Sequence, residues 1–239
     1  MNSTLRRMMV PLFFLVFLVP VASRTQQTPS PPAPQEETMM PQDFTNLLKE
    51  IWSFLKTETE GYLASSASKG EFETAREFER RVTDSRQQAL SRVIKFSRDQ
   101  KLDQRVIAVL FKASLGSYDA DKSVFGISST TIIDAPYNIP SVQCQIRKNS
   151  YVHLADSIRS GYRTSSLYIN LPKGHRWQVG RDLARTAKAE EENIYFRVKF
   201  MVDIEKSDLR KQAILELVPK ELALVNNVTN KIFWAVPIR

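Results

Sequence analysis

The sequence has few of the residues from which metal sites and catalytic centres are usually built. Its 239 residues include two histidines, His153 and His175, and a single cysteine, Cys144. One cysteine excludes an intramolecular disulfide. A zinc site needs three or four His, Cys or carboxylate ligands at suitable spacing, and the sequence shows no such pattern. We therefore expect no resident metal ion.

Glycine is also scarce, and its distribution argues against a phosphate-binding loop. The 7 glycines are scattered and form neither GxxxxGK nor GxGxxG, the loops that cradle phosphates in nucleotide-binding proteins. A GxSxG turn is missing too, so the usual nucleophile of a serine hydrolase is not present. These absences predict no cofactor and favour a protein without enzymatic activity.

The first 23 residues have the three-part pattern of a secretory signal peptide. Arg6 and Arg7 precede an apolar run from Met8 to Ala22, which ends in small residues. The run is about 15 residues long, short of the roughly 20 that a helix needs to cross a bilayer. We predict cleavage after Ser23, export to the bacterial periplasm or the extracellular space, and no transmembrane helix in the mature chain. A retained anchor is the alternative.

The remaining chain divides by composition into a linker and a folded part. Residues 24–42 contain prolines among Gln, Thr, Ser and Glu, a composition typical of a disordered linker. Residues 43–239 predict a single α+β domain, with a helical part at 43–102 and a sheet part at 103–239. We expect N-terminal helices packed on a mainly antiparallel β-sheet, with one further short helix.

Periodicity places the main elements of this domain. Apolar residues at spacings of three and four predict a helix from Asp43 to about Lys56. A capping box of Thr74 and Glu77 predicts the start of a second helix of about 25 residues. Alternating apolar residues predict strands after Asp103, and the clearest alternation runs over residues 194–204. A short helix is expected over residues 178–188.

One segment resembles a known group of proteins. The motif Phe72-Glu73-Thr74-x-x-Glu77-Phe78-x-x-Arg81 is followed by a turn at Tyr118-Asp119-Ala120-Asp121. This arrangement resembles uncharacterised exported bacterial proteins that share an F-E-T-x-x-E-[FY]-x-x-R helix opening. The resemblance covers about residues 70–205 and implies an α+β envelope domain. It assigns no catalytic residue.

A hydrolase with unrecognised active-site geometry is one alternative function. His153 and Asp156 lie three residues apart and could form an acid–base pair if the segment is helical, with Ser157 or Cys144 as nucleophile. However, Cys144 alternates with Val142 and Ile146, a pattern that favours a small buried apolar residue. The leading interpretation is therefore that none of these residues is catalytic.

Positive charge is the remaining functional indication. The formal net charge is +8, and loss of Arg6 and Arg7 with the signal would leave 8 − 2 = +6. Between residues 141 and 185 the only acids are Asp156 and Asp182. The basic residues there are Arg147, Lys148, Arg159, Arg163, Lys173, Arg176, Arg181 and Arg185.

Such a surface predicts binding of an anionic partner by a domain without enzymatic activity. The candidates in an exported protein are anionic lipid headgroups, an envelope polysaccharide or an acidic protein, ahead of nucleic acid. A basic face that only keeps the domain soluble is the plainer interpretation. A structural envelope protein that associates with itself is a further alternative.

Overall fold

The fold combines helices with two β-sheets. The computed structural model describes residues 35–159, 161–172, 176–204, 209 and 211–238, and within these it contains three α-helices and eleven strands. The predicted α+β class is therefore confirmed. The predicted signal peptide at residues 1–23 lies outside the described residues. Of the described helices, none is both long enough and apolar enough to cross a membrane.

The elements have the following bounds. The helices are α1 (Pro41–Ser66), α2 (Ala75–Asp99) and α3 (Arg181–Ala189). The first strands are β1 (Gln35–Met39), β2 (Arg105–Asp119), β3 (Val124–Ser129), β4 (Ile132–Ala135), β5 (Val142–Ile146) and β6 (Val152–Arg159). The remaining strands are β7 (Tyr162–Ile169), β8 (Arg176–Gln178), β9 (Ile194–Asp203), β10 (Ala213–Asn226) and β11 (Ile232–Pro237).

The two long helices form where the apolar spacing and the capping box predict them. α1 buries Phe44, Leu48 and Ile51, and it continues beyond the predicted end to Ser66. At the start of α2 the amide of Glu77 donates to Thr74 Oγ1 over 3.2 Å, and the Glu77 carboxylate accepts from the Thr74 amide over 2.8 Å. The predicted capping box and the 25-residue helix are confirmed.

The larger sheet is mixed, so the prediction of a mainly antiparallel sheet is wrong. Its strand order is β11-β10-β9-β2-β3-β8, with antiparallel pairing along this path. β1 and β5 add to it in parallel, beside β2 and β10 respectively. Parallel partners are joined by long connections and not by a tight turn, so they leave no local signal in the sequence.

β1 also corrects the predicted extent of the linker. Gln35–Met39 was expected to be disordered but pairs with the start of β2. The Glu36 carboxylate lies 2.9 Å from the Lys199 ammonium, and Arg105 Nε donates to Glu37 over 2.7 Å. The composition of this segment suggested that the entropy cost of ordering it would keep it disordered. Backbone pairing and these ion pairs offset that cost.

The core connects the helices with both sheets. β9 alternates between buried and half-buried residues along its whole length, as predicted. Phe200 of β9 stacks on Phe44 of α1 with ring centroids 5.3 Å apart. The second sheet, β4-β7-β6, is antiparallel and contributes Ile133 and Leu167 to the same core. The β6–β7 hairpin belongs to this second sheet and carries His153, Asp156 and Arg163.

Candidate functional site

The acid–base pair of the hydrolase alternative does not form. His153 and Asp156 both lie on β6, where residues three apart point to opposite faces of the sheet. His153 lies against the Tyr168 ring, with centroids 5.8 Å apart. Asp156 instead accepts a hydrogen bond from Ser165 and a second one, over 2.6 Å, from the side-chain amide of Asn138. The spacing that suggested a pair in a helix separates these groups in a strand.

The two candidate nucleophiles are no better placed. Ser157 shares a face with His153 but lies four residues further along β6, about 13 Å away at the rise of a strand. Cys144 is 2% exposed, and burial, with a smaller contribution from the Asp156 charge, raises the pKa of its thiol to about 12. Its prediction as a buried apolar residue is confirmed. The four residues of this alternative therefore do not come together as nucleophile, base and acid.

Metal-ligating residues are likewise dispersed. Among the described residues, no group of three or more His, Cys, Asp or Glu side chains could hold a metal ion. His175 lies outside the described residues.

The predicted basic residues fall on separate elements. Arg147 follows β5, and Lys148 comes directly after it. Arg159 and Arg163 belong to the β6–β7 hairpin, at the end of β6 and the start of β7. Lys173 lies outside the described residues. The last three lie in a short stretch of chain on β8 and α3, and they are Arg176, Arg181 and Arg185.

Arg147 differs from the others because its charge is already compensated. Its guanidinium lies 2.5 Å from the Glu216 carboxylate, a contact that raises the pKa of Arg147. A new anion would have to compete with Glu216 for this guanidinium. We therefore do not count Arg147 in the binding surface.

Four arginines retain an exposed charge. Arg163, Arg176 and Arg181 are exposed, and none of them forms an ion pair with another described residue. Arg185 is 75% exposed and approaches Asp182 only to 4.0 Å, a distance at which an exposed pair contributes little. Asp156, the other acid of the segment, is already hydrogen bonded by Asn138 and Ser165. The charges of Arg163, Arg176, Arg181 and Arg185 are therefore largely uncompensated by ion pairs among the described residues.

The helix that carries two of these arginines is fixed firmly at its C-terminal end. Lys188 Nζ donates to the Leu115 carbonyl over 2.8 Å and to the Glu191 carboxylate over 2.6 Å. The same carboxylate accepts from the Leu115 amide over 2.8 Å, and these contacts lower the pKa of Glu191. Lys112 also donates to the Glu191 carbonyl over 2.8 Å. This network holds α3 against β2 and thereby gives Arg181 and Arg185 a defined position.

A second charged cluster was not predicted from the sequence. On the face of β9 opposite α1, Arg197 and Lys199 lie within 4.0 Å of Glu36 and Glu221. The charges of the two cations and the two anions cancel. Alternation along β9 placed Arg197 and Lys199 on one face, but their acidic partners come from β1 and β10. This cluster joins strands and leaves no net charge for a ligand.

The free end of the β6–β7 hairpin combines apolar and basic side chains. Ile158 is 71% exposed and Tyr162 is 76% exposed. Arg163 pairs with Ile158 across the strands, and Tyr162 pairs with Arg159. Gly161, in the turn, has φ of +81°, a left-handed conformation that favours glycine. We refer to Ile158, Tyr162 and Arg163 as the hairpin tip.

Comparison with known proteins adds no further assignment. No protein-family model matches this chain, and no curated protein or solved structure is significantly similar to it. Its function must be argued from the positions and charges of its own residues.

Proposed function

We propose that the protein is an exported bacterial domain without catalytic activity, and that it binds an anionic component of the cell envelope through exposed arginines. The observation that carries this proposal is the uncompensated charge of Arg163, Arg176, Arg181 and Arg185. The signal-like pattern of residues 1–23 and the resemblance at residues 72–81 support export.

Exposed, unpaired arginines are well suited to this role. A guanidinium stays charged at every physiological pH and can donate two parallel hydrogen bonds to a phosphate or carboxylate. Binding through Arg163, Arg176 or Arg181 breaks no ion pair among the described residues, so the interaction is not offset by a lost contact. By contrast, Arg147 and Arg197 would first have to leave a carboxylate.

The partner classes follow from the proposed compartment. Anionic lipid headgroups, envelope polysaccharides and acidic proteins all present phosphates or carboxylates outside the cytoplasm. The contribution of each arginine near an anionic surface is about 1 kcal/mol. Three arginines together would then change the dissociation constant by about a hundredfold.

The test is retention of the full chain on heparin and on anionic vesicles over a series of salt concentrations. The variant with Arg176, Arg181 and Arg185 changed to Gln should elute at lower salt than the wild type. The matched control removes the same charge from exposed positions on α2, by changing Arg76, Arg80 and Arg98 to Gln. We expect a clearly smaller effect from the control. Absence of salt-sensitive retention, or equal effects of the two variants, would refute the proposal.

A further inference from the structure

We propose that the anionic component is the surface of a lipid bilayer, and that the hairpin tip enters its headgroup region. This inference depends on the proposed function and names its ligand. It follows from three properties of the tip: exposed apolar side chains on both faces, a position beyond the last buried residue of β7, and an arginine that forms no ion pair with another described residue.

The apolar side chains of the tip point in opposite directions. The strand register places Ile158 on the face that carries Leu154 and Tyr162 on the face that carries Tyr168. Ile158 is 71% exposed and Tyr162 is 76% exposed, so each face of the hairpin presents an exposed aliphatic or aromatic side chain near its end. A protein or a glycan chain lying against the domain would cover one side. A fluid headgroup layer can surround both.

The tip lies beyond the last buried residue of β7. The last buried residue of β7 towards the tip is Ser165, which is 1% exposed. Tyr162 lies three residues further, about 10 Å at the rise of a strand. Peripheral segments bury their apolar groups about 5–10 Å into the boundary between headgroups and acyl chains. This distance along the strand is similar to the depth of this layer.

The charge of the tip also fits an anionic membrane surface. Arg163 is exposed and has no acidic partner among the described residues, and the chain contains no acid between Ser157 and Ser165. The nearest acid, Asp156, accepts hydrogen bonds from Asn138 and Ser165 and forms no ion pair with Arg163. Tyrosine and arginine both suit the interface, because each has an apolar body and a polar end. Headgroup phosphates would meet Arg163 while Ile158 enters the layer below.

A fluorescent probe at the tip tests the inference directly in the full chain. Ile158→Cys is labelled with the environment-sensitive fluorophore NBD, and the buried thiol of Cys144 stays unlabelled. The matched control is Ile132→Cys on β4, which is 58% exposed on the same sheet. Ile132 pairs with Tyr168, six residues and about 20 Å from Tyr162. The apolar run at residues 8–22 is present in both samples, so a difference between them reports the tip.

We expect NBD emission at position 158 to shift to shorter wavelength and to rise at least twofold with vesicles containing about one-quarter phosphatidylglycerol. Emission at position 132 should change little. Adding the R163Q substitution to the labelled I158C chain, or raising the salt to about 0.5 M, should weaken the response at 158, because both reduce attraction to the charged surface. Pure phosphatidylcholine vesicles should give a smaller response.

The contrary outcomes separate this inference from the proposed function. An unchanged emission at 158 together with salt-sensitive retention on heparin would overturn the bilayer as ligand and leave anion binding intact. An equal response at 158 and 132 would overturn specific insertion of the tip. Loss of both the vesicle response and heparin retention would overturn the proposed function as well. Thermal melts of both labelled chains establish that each one is folded.

Discussion

Cys144 should react with thiol reagents about a thousandfold more slowly in the folded chain than in the unfolded chain at the same pH. The residue is 2% exposed on β5. Burial and the neighbouring Asp156 carboxylate both disfavour the thiolate, and they raise the pKa of Cys144 from 9.0 to about 12. The perturbation to apply is therefore unfolding, which restores the ordinary pKa.

The expected ratio follows from the fraction of thiolate, which is the reactive form. At about pH 8, a thiol with a pKa near 9 is about one-tenth ionised, whereas a pKa near 12 leaves about one part in ten thousand. The quotient of these fractions is about a thousand. Exclusion of the reagent from the core slows the reaction further, so this ratio is a lower bound.

The assay follows the absorbance of a chromogenic disulfide reagent added to the native chain and to the chain in concentrated guanidinium. The Cys144→Ala variant provides the blank. Equal rates in the two states would refute the reasoning, because they would show that the thiol is accessible and ionised in the fold. That result would also restore Cys144 as a candidate nucleophile.

Three other predictions concern stability. Between about pH 9 and 12 the unfolded chain releases the Cys144 proton and the folded chain retains it, so the free energy of unfolding should fall by about 1.4 kcal/mol per pH unit. In denaturant melts of Cys144→Ala, the free energy of unfolding should not show this decrease with pH. Thr74→Ala should destabilise the chain by about 1 kcal/mol by removing the α2 cap, and Thr74→Ser should not. Lys188 and the Leu115 amide lower the pKa of Glu191 in the folded chain. The ionised Glu191 therefore adds to the free energy of unfolding above about pH 4.5, and this stabilisation is lost as the pH falls through the folded pKa. In thermal melts at a series of pH values, the stability of Glu191→Gln should therefore fall less steeply towards low pH than that of the wild type.

Local patterns in the sequence predicted the elements whose signals are themselves local. The capping box at Thr74 and the alternation along β9 correspond directly to hydrogen bonds and burial in the structure. β1 was missed because its stability comes from pairing with Arg105–Val109 and from Lys199, which are distant in the chain. The parallel placement of β5 was missed for the same reason.

For the candidate site, the sequence predicted only an excess of basic residues, not their positions or partners. The excess of arginine between residues 141 and 185 was visible, but not which of them are already paired. Glu216, which neutralises Arg147, lies 69 residues away in the sequence. The tip was also missed, because the sequence analysis predicted no strand over residues 152–159. Its exposure follows from the length of the hairpin beyond Ser165, which no local pattern encodes.

Arginine footprinting tests the central claim most directly. The full chain is treated with phenylglyoxal, which modifies accessible guanidinium groups, with and without anionic vesicles, and each site is quantified by mass spectrometry. Our account predicts that vesicles protect Arg163, Arg176, Arg181 and Arg185. The exposed arginines of α2 should remain reactive, and they are Arg76, Arg80 and Arg98. Protection confined to α2, or no protection of the first group, would contradict the claim that the arginines between residues 163 and 185 bind the anionic partner.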